Sequence, residues 1–149
     1  MPRTIELPDL AATEALAAAV SVLARAGDAI LLEGELGAGK TAFARAFLRA
    51  ASGDSGLEVP SPTFTLVQSY ATRIGTVHHF DLWRLDGPGG LRELGWEEAR
   101  DGIVLVEWPD RLGSLRPDNT LTVSLLMTAA DGRRAALSGW PDRLDLITP

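Results

Sequence analysis

Gly34 to Thr41 reads GELGAGKT and meets every fixed position of G-x-x-x-x-G-K-[ST]. Few stretches of eight residues constrain a chain so strongly. The pattern works only where a buried strand runs through a glycine turn into the start of a helix. Both flanks are present. Ala29 to Glu33 (AILLE) is a short apolar run, as in a strand covered on both faces. From Lys40 to Ala51, Phe43 and Phe47 stand four apart, as do Ala44 and Leu48. A helix there carries one apolar stripe, with Arg45 and Arg49 on another face.

The chemistry follows from the arrangement. Glycines let successive backbone N–H groups turn inward around an anion. The helix behind them adds roughly half a positive charge at its N-terminus. Leu36, Gly37, Ala38, Gly39, Lys40 and Thr41 are therefore expected to hold the phosphates of a nucleotide. Lys40 reaches the outer phosphates as a mobile point charge. The Thr41 hydroxyl suits Mg2+, which prefers oxygen ligands. The expected substrate is ATP.

The rest of the chain reads as alternating strands and helices. Arg3 to Leu7 is a short strand. Asp9 is placed to cap an alanine-rich helix over Ala11 to Ala26, with Gly27 as its C′ glycine. Ser52 to Gly56 is a loop. Phe64 to Tyr70 and Thr76 to Asp81 are strand-like, and the turn at Arg73 to Gly75 between them allows only antiparallel pairing. Gly87 to Gly90 (GPGG) breaks the chain before a helix over Leu91 to Asp101. Ile103 to Glu107 (IVLVE) is a second buried strand. Leu121 to Met127 and Arg134 to Leu137 flank a turn at Asp131-Gly132, and the tail from Pro141 is a short helix. The expectation is one α/β domain over residues 1–149, a P-loop fold with a mixed parallel and antiparallel sheet flanked by helices.

Composition narrows the function. The 149 residues include 46% apolar and 23% charged, an ordinary globular balance. There are no cysteines, so disulfides and thiolate zinc sites are excluded. No apolar run is long enough for a membrane span, and the first residues lack the apolar core of a secretory signal. A cytoplasmic protein with no membrane partner is expected. The net charge is −6 and Lys40 is the only lysine, which argues against an independent grip on nucleic acid.

A P-loop site needs an acidic residue at the end of a neighbouring strand to hold or orient magnesium. Asp81 and Glu107 each end a strand-like run, and spacing does not divide their roles. Ser61-Pro62-Thr63-Phe64-Thr65 is a proline-stiffened segment whose hydroxyls could sense a γ-phosphate, or form only a polar turn. His79 and Asp81 share one face of a strand, but two ligands fall short of a zinc site, so His79 reads as a packing or supporting residue. The four tryptophans read as core or rim.

Four segments together, LGAGKT (Leu36 to Thr41), SPTFTLV (Ser61 to Val67), HFDLWRL (His79 to Leu85) and LVEWP (Leu105 to Pro109), resemble the bacterial tRNA threonylcarbamoyladenosine biosynthesis family TsaE in order and spacing. That resemblance implies a small cytoplasmic ATPase working with the TsaB–TsaD pair, which modifies the adenosine beside the anticodon of tRNA. The family member does not perform the transfer, and tRNA is reached through the partners. It also implies roles. Thr41 and Glu107 would bind magnesium, and Asp81 would serve ATP turnover. Lys40 and Thr63 would act at the phosphates, and Trp108 would lie beside the site. Leu10 and Arg133 would border the adenine, where an arginine plane can stack on a base. Trp83 stands where many relatives carry tyrosine, which keeps an aromatic face and loses a hydroxyl.

Other P-loop readings fit less well. A regulatory GTPase would carry Asn-Lys-x-Asp, and the chain has none. A small-molecule kinase would carry an arginine-rich lid, and no insertion of that length is visible. A nucleotide-sensing module without catalysis stands close to the leading reading.

Overall fold

The computed structural model describes residues 2–149. Strands β1 (Arg3–Leu7), β2 (Ala29–Glu33), β3 (Val67–Thr72), β4 (Gly75–Asp81), β5 (Ile103–Glu107), β6 (Thr120–Met127) and β7 (Arg133–Gly139) form one sheet, in the order β1-β7-β6-β2-β5-β4-β3. Its centre is parallel: β2 lies between β5 and β6, and β4 runs beside β5. Its borders are antiparallel, β3 with β4 on one side and β6, β7 and β1 on the other.

The central strands are covered on both faces, and their alternation divides the core in two. Ile30 and Leu32 of β2 and Ile103 and Leu105 of β5 face helices α1 (Leu10–Leu23) and α2 (Lys40–Ser52). Ala29, Leu31, Val104 and Val106 face the opposite way, toward Leu91, Trp96 and Leu112. The apolar stripe of α2 is where its periodicity put it: Phe43, Phe47 and Leu48 are fully buried. Each contributes about 1.5–3 kcal/mol by leaving water. Their burial fixes which way the first turn of α2, with Lys40 and Thr41, points over the sheet.

Several local expectations fail for identifiable reasons. Helix α1 ends at Leu23, with Ala24 extended, so Gly27 is not its C′ residue. The Asp28 carboxylate accepts the Arg25 N–H, drawing that backbone out of the helix, and Gly27 instead takes φ +93° in the turn before β2. Phe64 to Leu66 is a turn, not strand. Leu66 N–H donates to Pro62 O at φ +69°, and no sheet face covers Phe64, which is 84% exposed. The helix expected over Leu91 to Asp101 is broken at Gly95 (φ +77°) into a 3-10 turn, Arg92–Leu94, and the single-turn helix α3, Trp96–Ala99. The tail folds only into a 3-10 turn at Leu144–Leu146. Among the described residues, no helix is long and apolar enough to cross a membrane.

Candidate functional site

Gly34 leaves β2 at φ +149°, where an added Cβ would meet Leu125 O of β6 at 2.7 Å. Only glycine passes so close to the neighbouring strand. Gly37 and Gly39 also have positive φ, and Gly39 caps α2 in the left-handed conformation. The loop therefore lies across the ends of β2 and β6, and α2 begins directly above β5.

Parallel pairing sets Asp81 of β4 opposite Glu107 of β5. Both are buried on the α2 side of the sheet, at 5% and 2% exposure. A carboxylate so buried must be paired. Glu107 Oε1 accepts from Thr41 Oγ1 at 2.9 Å, and Glu107 Oε2 lies 2.7 Å from His79 Nε2. Asp81 Oδ2 accepts from Thr63 Oγ1 at 3.1 Å, and Asp81 Oδ1 accepts from the Trp83 N–H at 3.0 Å. Thr63 Oγ1 is 2.8 Å from Ser61 Oγ. The two acids, equivalent by spacing, thus differ in setting: Glu107 faces the helix start, and Asp81 faces the Ser61 to Thr63 segment.

Lys40 Nζ donates to Gly34 O at 2.6 Å and Glu35 O at 2.9 Å, and it lies 4.1 Å from the Trp108 ring centroid. Burial pushes the Lys40 ammonium below the ordinary lysine range, while Glu107 and Asp81 pull it back up. Trp108 takes φ +59°, unusual for a large side chain, in the turn that follows Glu107. Its indole packs at a tilt against Trp83, with centroids 4.4 Å apart and the ring planes 46° apart.

These groups converge on a cleft of about 340 Å3. Leu36, Gly37, Gly39, Lys40, Thr41, Thr63, Asp81, Glu107 and Trp108 all line it, as do Ser61 and Trp83. Ala38 is buried beneath the loop. Leu10 and Arg133 lie apart from them, along a side cavity of about 170 Å3 that shares Gly39 and Ala42 with the cleft. Arg133 is not a free plane. Its guanidinium donates to Gly37 O and Ala38 O at 3.1 Å each, clamping the loop from β7.

The donors present suit magnesium. Thr41 and Glu107 bring two oxygens to one point, a hydroxyl and a carboxylate, at the edge of a loop built for phosphate. Among the described residues, no cluster of three or more His, Asp or Glu residues is placed to hold a metal ion. Two protein oxygens plus phosphate oxygens is the usual provision for this ion.

The contacts of four residues were not legible in the sequence. Trp83 turns out to face the cleft. His79 contacts Glu107 and not the Asp81 that shares its strand face. Arg45 and Arg49 donate to Val59 O and Leu57 O, holding the segment that leads to Ser61. Their spacing on α2 was visible, but nothing in it indicated those carbonyls.

Residues 7–135 match the family model described as threonylcarbamoyl adenosine biosynthesis protein TsaE. The chain is similar to the tRNA threonylcarbamoyladenosine biosynthesis protein TsaE of Rickettsia felis, 39% identical over 114 residues. That match covers 76% of this chain and 66% of the relative, just under two thirds of its length. Against the protein of the same name from Bacillus subtilis, identity is 30% over 137 residues, covering 91% of this chain and 84% of the relative. The crystal structure of Bacillus subtilis YdiB superposes with a TM-score of 0.77 over 99% of this chain and 91% of that one; at 24% identity this speaks to the fold. The family match spans well over half the chain and agrees with both relatives, and by it this chain belongs to the TsaE family of threonylcarbamoyl adenosine biosynthesis proteins.

Proposed function

We propose that this chain is a magnesium-dependent ATPase that serves the formation of threonylcarbamoyladenosine on tRNA, acting with the TsaB–TsaD pair and not performing the transfer itself. The observation that carries the proposal is the Thr41–Glu107 contact of 2.9 Å at the mouth of the phosphate loop. A phosphate-binding turn alone would serve any nucleotide. A buried carboxylate meeting the P-loop hydroxyl adds a place for the cation that accompanies ATP.

The chain's residues then divide the work. The backbone N–H groups of the loop and the start of α2 bind the phosphates. Lys40 exchanges its carbonyl partners for phosphate oxygens and offsets charge at the outer phosphates. Thr41 and Glu107 hold Mg2+, which when bound screens the phosphate charge and polarises the phosphoryl oxygens. Asp81 orients water for attack, with Thr63 and Ser61 as the hydroxyl chain that links it to the outer phosphate. Leu10 and the Arg133 turn border the adenine. Leu36 at 77%, Phe64 at 84% and Trp83 at 46% exposure surround this region and suit a site completed by another protein. A chain of net charge −6 suits tRNA reached through that protein, in the cytoplasm.

The deciding experiment measures phosphate release from ATP by the chain alone, and then with TsaB–TsaD and tRNA. Stimulation by the partners supports the proposal. Turnover indifferent to them, together with phosphate transfer to a metabolite, would refute it.

A further inference from the structure

His79 lies within β4 with no exposed surface, and the chemistry above gives it no step. Its Nε2 is 2.7 Å from Glu107 Oε2, the oxygen turned away from Thr41. In the parallel pairing of β4 with β5, Asp81 stands beside Glu107 and His79 beside Leu105. The imidazole therefore sits one same-face position behind the carboxylate. A hydrogen bond to a carboxylate requires Nε2 to carry the hydrogen. Nδ1 is buried without a partner, and that costs least when it holds a lone pair.

We propose that His79 is a positioning residue for the magnesium ligand: by donating from Nε2 to Glu107 Oε2 it fixes the carboxylate so that Oε1 is presented to Thr41 and the phosphate loop. This rests on the reading of Thr41 and Glu107 as the magnesium pair. The two oxygens of a carboxylate are chemically equivalent, and rotation of the group interchanges them. At 2% exposure Glu107 has little access to water for the second oxygen, so that oxygen turns toward whatever donor lies near. Without His79 the alternative is Lys40, whose ammonium already lies within the field of Glu107. A Glu107–Lys40 pair would withdraw a ligand from the metal and a cation from the phosphates together. His79 occupies the second oxygen from behind, on the same face of the sheet, and keeps the two roles separate.

Calorimetric titration of ADP into the full chain, over a series of magnesium concentrations and in EDTA, tests the assignment. His79→Leu is expected to raise the magnesium concentration for half-maximal tightening of ADP by about tenfold or more, with ADP affinity in EDTA changed by less than about twofold. His79→Gln extends an amide nitrogen to about the reach of Nε2 and should restore most of the magnesium response. His79→Asn is one methylene shorter and should not. An unchanged magnesium requirement in folded His79→Leu overturns the proposal. So does equal weakening with and without magnesium, the mark of a merely structural residue. Should His79→Leu not fold, the other two variants decide, and equal magnesium requirements in His79→Gln and His79→Asn overturn it. If wild-type ADP binding ignores magnesium, or Glu107→Gln leaves the magnesium response intact, the magnesium pair itself is refuted and the inference falls with it. Those outcomes show in the wild type and at Glu107, and so are distinct from a failure at His79.

Discussion

The Lys40 ammonium rests 4.1 Å from the centroid of the Trp108 indole, and that indole packs at a tilt against Trp83. Cation–π attraction of this kind is worth about 0.5–2 kcal/mol. Phosphate oxygens compete for the same ammonium, so nucleotide should draw it off the ring and change the indole emission. Adding ADP and magnesium is expected to change tryptophan fluorescence saturably, and Trp108→Phe should remove most of that change. Trp96 and Trp140 are packed into the core and should contribute little. A full-sized change in Trp108→Phe would locate the reporter elsewhere.

Lys40→Ala should lower ATP hydrolysis by about 100-fold or more, since a preorganised cation at the developing charge is lost. The fold should survive. Lys40 Nζ donates hydrogen bonds only to carbonyls of its own loop, and alanine is a strong helix former. Phosphate release and a circular dichroism melt read the two effects separately. Wild-type hydrolysis by Lys40→Ala would refute the P-loop reading.

Asp81 should behave differently. Its two oxygens accept from Thr63 and from the Trp83 backbone, not from Thr41. Asp81→Asn is therefore expected to cut turnover by about 100-fold, the usual scale for a lost general base or water-orienting group, with ADP affinity nearly unchanged. Thr63→Val should lower turnover in the same direction and by less. Loss of nucleotide affinity in Asp81→Asn, matching loss of turnover, would move Asp81 into the binding role.

How far the sequence revealed this site depended on the range of the interactions involved. The P-loop, β2, β5 and the stripe of α2 are local patterns and were legible from spacing. So were Asp81 and Glu107 as strand-ending acids. Their different partners were not, because those depend on the register of β4 against β5 and on where α2 lies over both. His79 shows the limit most clearly. Its strand face was readable, but its contact with Glu107 spans 28 residues and exists only once the strands pair in parallel. Phe64 to Leu66 misled because its apolar and β-branched residues favour strand, while the Leu66 to Pro62 hydrogen bond bends that segment toward Asp81. Arg133 was expected beside the adenine, but its hold on Gly37 and Ala38 needs β7 folded beside the loop.

The isolated chain should bind tRNA weakly. A phosphate-tracking surface needs clustered cations, and this chain has net charge −6 and one lysine, which faces the cleft. Filter binding at near-physiological salt should show no submicromolar affinity. Tight binding with a steep salt dependence would overturn this expectation and place tRNA directly on this protein.

The C-terminal segment is held to the sheet by a buried ion pair, and its loss should affect stability without touching the nucleotide site. Arg143 Nη1 and Nη2 reach the two oxygens of Asp28 at 2.7 and 2.9 Å, and Arg143 Nη1 also donates to Leu23 O. The guanidinium lies 4.0 Å from the Trp140 ring centroid. The Asp28 carboxylate holds the Arg143 guanidinium above its ordinary range. Both residues are under 10% exposed. Removing one member strands a buried charge, so Arg143→Met should destabilise the fold by about 3–5 kcal/mol. For a chain near this size, that corresponds to a drop in Tm of about 10 °C. The double variant Asp28→Asn with Arg143→Met strands no charge and should recover part of the loss. Thermal melts of the two single variants and the double one give the coupling. Additive losses would mean that the two side chains contribute independently, and that the bidentate contact has little net worth of its own.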